Sequence, residues 1–136
     1  MHMSRINRRV KWAVRSGRER GAAAVEFALV LPLLVVLLMG IIDFGLYFYN
    51  DLAVSHAARD AARYLSVNNI AGANAAVSKL TLVSAPQPTA SLTPATSGNP
   101  ATVTLQTSYR FLTPIPLIVG LKSTLGINAT VVMRRE

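Results

Sequence analysis

Residues 21–42 read GAAAVEFALVLPLLVVLLMGII, 22 positions with one charge, Glu26. As a helix they span roughly 30 Å, the thickness of a bilayer core. Tyr47, Phe48 and Tyr49 follow and suit an interfacial aromatic belt. The pattern then becomes amphipathic. No proline or glycine occurs from residue 46 to 71, and Leu46, Tyr49, Ala53, Ala57, Ala61, Tyr64 and Leu65 recur mostly at spacings of three and four. Asp51, Ser55, Arg59 and Arg63 line a polar face. This predicts one helix over about residues 22–67, membrane-spanning to about 49 and continuing outside it to 67. Asn68-Asn69 and Gly72 end or loosen it, and residues 73–79 add at most a short turn.

Beyond this point the period falls to two. Val103, Leu105, Tyr109 and Phe111 alternate with polar residues, as do Ile127, Ala129, Val131 and Met133; Leu80-Thr81-Leu82-Val83 is a weaker third run. Three strands with one apolar face are stable when a helix covers that face. The expected fold class is therefore α+β: a long N-terminal transmembrane helix against a small antiparallel sheet. Residues 84–100 carry four prolines, six Ser or Thr and no charge, and read as an extended, mobile loop, either a plain linker or a binding loop. Residues 112–121 (LTPIPLIVGL) are apolar but too short to span; they cap the core or offer a patch to a partner.

Charge fixes the orientation. The chain of 136 residues has a net charge of +8, unevenly spread. Residues 1–20 hold Arg5, Arg8, Arg9, Lys11, Arg15, Arg18 and Arg20 against Glu19, a net +6, which leaves +2 for the rest. By the positive-inside rule this basic leader, residues 1–21, stays cytoplasmic and residues 68–136 form an exported module. A nucleic-acid arm would also be basic, but membrane orientation and anionic lipid already account for these charges. No small-x-small cleavage site follows Ile42, which argues against a removable secretory signal. Apolar residues make up 51% and charged ones 15%, and 136 residues cannot surround a helix this apolar in water.

Candidate chemistry is sparse. Cysteine is absent and the two histidines, His2 and His56, lie far apart, so neither a metal site nor a cofactor is expected. With no phosphate loop and no evident carboxylate pair in the exported part, an enzyme is not expected. Pro32 should kink or loosen the membrane helix without ending it. Ala53, Ala57 and Ala61 form a small-residue ladder that either packs on the protein's own sheet or lets another helix approach. Arg59, Asp60 and Arg63 form a solvated or partner-facing cluster. Asp43, at the outer interface, reads as hydrated there.

Glu26 is the unusual residue, because an ionisable group within a membrane segment marks function by default. It either snorkels to the cytoplasmic face or has a partner. A cut between Gly21 and Ala22 would create an amine on Ala22, one helical turn from Glu26 on the same face.

A basic leader, Gly21, four residues, Glu26 and the aromatic Phe27 ahead of a long apolar run resemble the cleavage motif of type IV prepilins. The string from Arg20 to Val67 resembles the TadE-like family, pseudopilins of the Tad (Flp) tight-adherence pilus system. The resemblance rests on Gly21-Ala22-Ala23-Ala24-Val25-Glu26-Phe27-Ala28, Leu31-Pro32, Gly40 before Ile41-Ile42-Asp43-Phe44-Gly45, and Ala57-Ala58-Arg59-Asp60-Ala61-Ala62-Arg63, over 48 of the 136 residues. Major Flp pilins carry tyrosine after the glutamate; Phe27 here points to a minor pseudopilin. The resemblance implies a pilin-like fold, a single-pass protein of the bacterial inner membrane in or beneath the pilus, and cleavage after Gly21 by a prepilin-type peptidase. It also implies other Tad components as partners: related pseudopilins, the major pilin and the assembly platform, with no nucleic acid. The alternative is an uncleaved bitopic assembly or adhesion factor.

Overall fold

The computed structural model describes residues 15–118 and 120–134. Residues 1–14, most of the basic leader, lie outside the described residues. The chain divides into two units between Leu37 and Leu38. The described part of the first is helical throughout. It belongs to α1, Arg15–Ser66, which contains Pro32 and does not end there. Proline has no N–H to offer the Ala28 carbonyl. Val25, Phe27, Leu29, Leu33 and Leu37 all lie open on the helix surface.

The second unit takes the rest of α1, then α2 (Ile70–Ser78), β1 (Thr89–Thr93), β2 (Ala101–Arg110), the single turn α3 (Ile115–Ile118) and β3 (Thr124–Met133). The three strands form an antiparallel sheet in the order β1-β2-β3. β2 and β3 pair along their whole length, from Ala101 opposite Met133 to Arg110 opposite Thr124. Ala101, Val103, Leu105, Tyr109, Ile127 and Ala129 line the buried face, and they share one core with Val54, Ala57, Ala58, Ala61, Ala62 and Leu65 of α1. The fold class is the expected α+β.

The end of α1 is written locally. Asn68 adopts φ 61°, the Asn68 N–H donates to the Leu65 carbonyl and the Asn69 N–H to the Tyr64 carbonyl. These are the paired bonds of a Schellman cap, in which asparagine replaces the usual glycine at the left-handed position. Asn69 then starts α2, its side chain accepting from the Gly72 N–H at 2.8 Å. The two asparagines thus end one helix and begin another, so residues 73–79 lie almost wholly within α2 rather than in a loose turn.

Two further expectations are corrected. The stretch 84–100 is no plain loop, because it contains β1. That strand pairs with β2 from Thr89 opposite Gln106 to Thr93 opposite Thr102. Its side chains are mostly exposed, so the backbone ladder forms it and no apolar alternation announces it. Residues 80–83, expected to be a strand, form none. Instead the Val83 backbone is taken up by a side chain of α1: Asn50 Nδ2 donates to the Val83 carbonyl at 2.7 Å, and the Val83 N–H donates to Asn50 Oδ1 at 2.9 Å. Ser84 follows with φ 56°; its carbonyl accepts from the Arg110 N–H and its hydroxyl donates to the Arg110 carbonyl. The segment runs past the end of β2 without extending the sheet.

The buried face of α1 is also rotated from the expected one. Tyr49 and Tyr64 face outward, while Asn50, Val54, Ala58 and Ala62 face in. A polar residue at a core position hid the true stripe.

Candidate functional site

Two places on α1 carry the functional argument. The first is the processing motif. Gly21, Ala22, Glu26 and Phe27 all lie within the helix, with Glu26 and Phe27 exposed. Ala22 and Glu26 are four residues apart and so share a face. A Cβ at Gly21 would meet nothing within 4 Å, so packing in this structure gives no reason for glycine there.

The second place is Asp43, one residue beyond the apolar run. Rather than being hydrated at an interface, it is 3% exposed. Three donors converge on its carboxylate. The Tyr109 hydroxyl reaches Oδ1 at 3.2 Å, the Leu112 N–H reaches Oδ1 at 3.0 Å, and the Thr113 hydroxyl donates to Oδ2. A buried carboxylate is tolerated when such bonds replace its hydration. Tyr109 is fully buried, between the rings of Tyr47 at 6.1 Å and Phe111 at 5.5 Å, both edge to face. Burial first, then the hydrogen bond to Asp43 and its negative charge, push the Tyr109 hydroxyl up to about 12. The carboxylate therefore joins α1 to the end of β2 and to the first residues after it.

Asn50 sits seven residues after Asp43, two helical turns along the same face, and holds Val83 as described. Together they fix two non-repetitive segments of the module against the helix. Both were legible only as polar residues at a seven-residue spacing on the stripe that continues through Ala57 and Ala61. An apolar-only search passes over that signal.

The candidate partner-facing residues separate. Ala57 and Ala61 are buried in the protein's own core and Ala53 is half-buried, so this ladder is not open to another helix. Arg59, Asp60 and Arg63 are exposed. Asp60 and Arg63 border a groove of about 460 Å³ with Tyr64, Gly72 and Lys79. A Cβ at Gly72 would fall 2.6 Å from Tyr64 Cδ1, so the Tyr64 ring would have to move to admit one. Among the described residues no cluster of His, Cys, Asp or Glu could hold a metal ion.

The segment that holds both places is the one that matches a known family. Residues 21–63 match the TadE-like protein family. The TadE-like segment opens on Gly21, includes Glu26, Asp43 and Asn50, and closes on Arg63, just before the helix cap. Within the segment, α1 contains a stretch long and apolar enough to cross a membrane. The sheet lies outside this segment. No curated protein and no solved structure matches the chain.

Proposed function

We propose that this chain is a pseudopilin-like structural component of Tad (Flp) pilus assembly, a minor subunit and not an enzyme. Residues 21–42 span the inner membrane, the basic leader is cytoplasmic, and the module carried by the second half of α1 is exported. A prepilin-type peptidase cuts between Gly21 and Ala22. Glu26 then neutralises the new Ala22 amine of its own chain or of a neighbouring subunit, where low dielectric makes an unpaired charge costly. The observation that carries this reading is the family match from Gly21 to Arg63. The leader charge supports the orientation, and the exposed face of Arg59, Asp60 and Arg63 offers a polar surface to other pilus components.

One observation favours the uncleaved alternative. The bond between Gly21 and Ala22 lies inside α1, and a peptidase that binds extended backbone must first unwind that turn. Intact mass of the membrane-extracted protein separates the two readings. A mature chain beginning at Ala22, with Gly21→Val abolishing the cut, is expected. Full-length chain in pilus-competent cells would overturn the processing step. Glu26→Gln in a cleaved chain should reduce co-purification with other pilus components about tenfold or more, since about 1.4 kcal/mol already gives that factor. Undiminished co-purification would leave Glu26 as a snorkelling bystander.

A further inference from the structure

After α2, four of the six large apolar side chains left exposed among the described residues are Leu112, Leu117, Leu121 and Leu125. The first three belong to the connection between β2 and β3, residues 111–123. Its base is closed by the Phe111 N–H donating to the Ser123 carbonyl at 3.2 Å. Its start is held by Asp43 through the Leu112 N–H and the Thr113 hydroxyl. Asp43 directly follows Ile41 and Ile42, the last exposed residues of the apolar run. The connection therefore begins at the turn of α1 where that run ends.

Part of its backbone is satisfied internally. Pro114 and Pro116 have no N–H, and the N–H groups of Leu117, Gly120 and Leu121 donate to the carbonyls of Pro114, Leu117 and Pro116. With the bonds of Phe111 and Leu112, five backbone donors of the connection have acceptors within the protein. Leu117 is 77% and Leu121 67% exposed. Lys122 beside them and Arg110 at the end of β2 are exposed. Residues 61–134 carry five cations and no acid, so no local negative charge opposes an anionic surface.

We propose that Leu112, Leu117 and Leu121 form a second membrane contact: they insert into the interface of the leaflet at which α1 leaves the bilayer, with Lys122 among the headgroup phosphates. The inference rests on the membrane-spanning reading of residues 21–42. Asp43 is its positioning residue, because it ties the connection to the exit point of the helix. Anionic lipid adds attraction at Lys122 that neutral lipid lacks.

The chain has no cysteine, so Leu33→Cys, Ser97→Cys and Leu117→Cys each accept one environment-sensitive fluorophore in the full-length protein. Ser97 lies in the turn between β1 and β2, at the other end of the sheet. The labelled chains are reconstituted in vesicles of phosphatidylcholine and phosphatidylglycerol containing doxyl-labelled lipid. The Leu117 probe should emit at shorter wavelength than the Ser97 probe, be quenched by the doxyl lipid and be shielded from aqueous iodide. The Ser97 probe should respond to iodide alone. Lys122→Glu should weaken doxyl quenching at Leu117 in these vesicles and not in pure phosphatidylcholine. A Leu117 probe as open to iodide as Ser97, with Leu33 shielded, overturns the inference while leaving the span intact; it would reassign the leucines to a protein partner. A Leu33 probe open to iodide overturns the spanning reading and the second contact with it.

Discussion

The two halves of α1 solve opposite problems. From Val25 to Ile42 the helix turns large aliphatic side chains outward on every side; from Asp43 to Leu65 it turns alanines, one valine, one leucine and two polar residues inward. A helix in lipid needs no stripe, because lipid is equally apolar in all directions. The second half presents a narrow face of small residues, four of them alanines, to the core it shares with the sheet. Hydropathy alone ranks the first half as the important one. Tertiary stability lies in the second, where the most consequential residue is an acid.

That contrast is most easily broken at Asp43. Asp43→Leu keeps the bulk and leaves the Tyr109 hydroxyl, the Leu112 N–H and the Thr113 hydroxyl without their acceptor. Hydrogen bonds to a charged group contribute about 1.5–3 kcal/mol each and are not additive, so a loss of roughly 3 kcal/mol or more is expected. Urea unfolding of the full chain in detergent, followed by tyrosine circular dichroism, measures it. Asp43→Asn, which retains one carbonyl oxygen, should cost less.

The alanine face comes next. Ala62 is fully buried, and Ala62→Leu should destabilise the module by about 1–3 kcal/mol through overpacking, read in the same titration. A variant as stable as the parent would mean that the alanine face is looser than its burial implies.

The Tyr109 hydroxyl gives a smaller, pH-dependent test. Its value is raised from 10.0 to about 12 by burial and by Asp43, so the folded state holds this proton where the unfolded chain releases it. The contribution is fully present below pH 10 and is lost as pH rises towards 12. Tyr109→Phe should flatten the fall in stability between these values; an unchanged slope would assign the alkaline loss to other groups.

The smallest effect is expected in the first half. Leu34→Ala should leave the unfolding of the module unchanged, because Leu34 is exposed and belongs to the other unit. Any loss comparable to that of Ala62→Leu would show that the apolar run supports the sheet.

Part of this was legible in the residues. The alternation at Val103, Leu105 and Tyr109 and at Ile127 and Ala129 marks β2 and β3 because their side chains are buried. β1 escaped because its edge position leaves its side chains in the open, so only Gln106 to Thr102 across the ladder define it. Asn50 and Asp43 escaped for the reverse reason: polar residues read as surface, and their partners lie 33 and up to 70 positions away. Of the candidate site, the motif from Gly21 to Phe27 was readable as a local pattern, whereas the Asp43 clamp was not.

By itself the sequence determined what depends on neighbouring residues: an apolar run long enough for a bilayer, a basic leader, the break at Asn68-Asn69, and two strands of period two. Only the tertiary structure decided which face of α1 is buried, that Asp43 is an internal acceptor, and where the leucines of the β2–β3 connection stand. A carboxylate looks the same in sequence whether it is solvated by water or by Tyr109, Leu112 and Thr113. Only the fold brings those three donors to it.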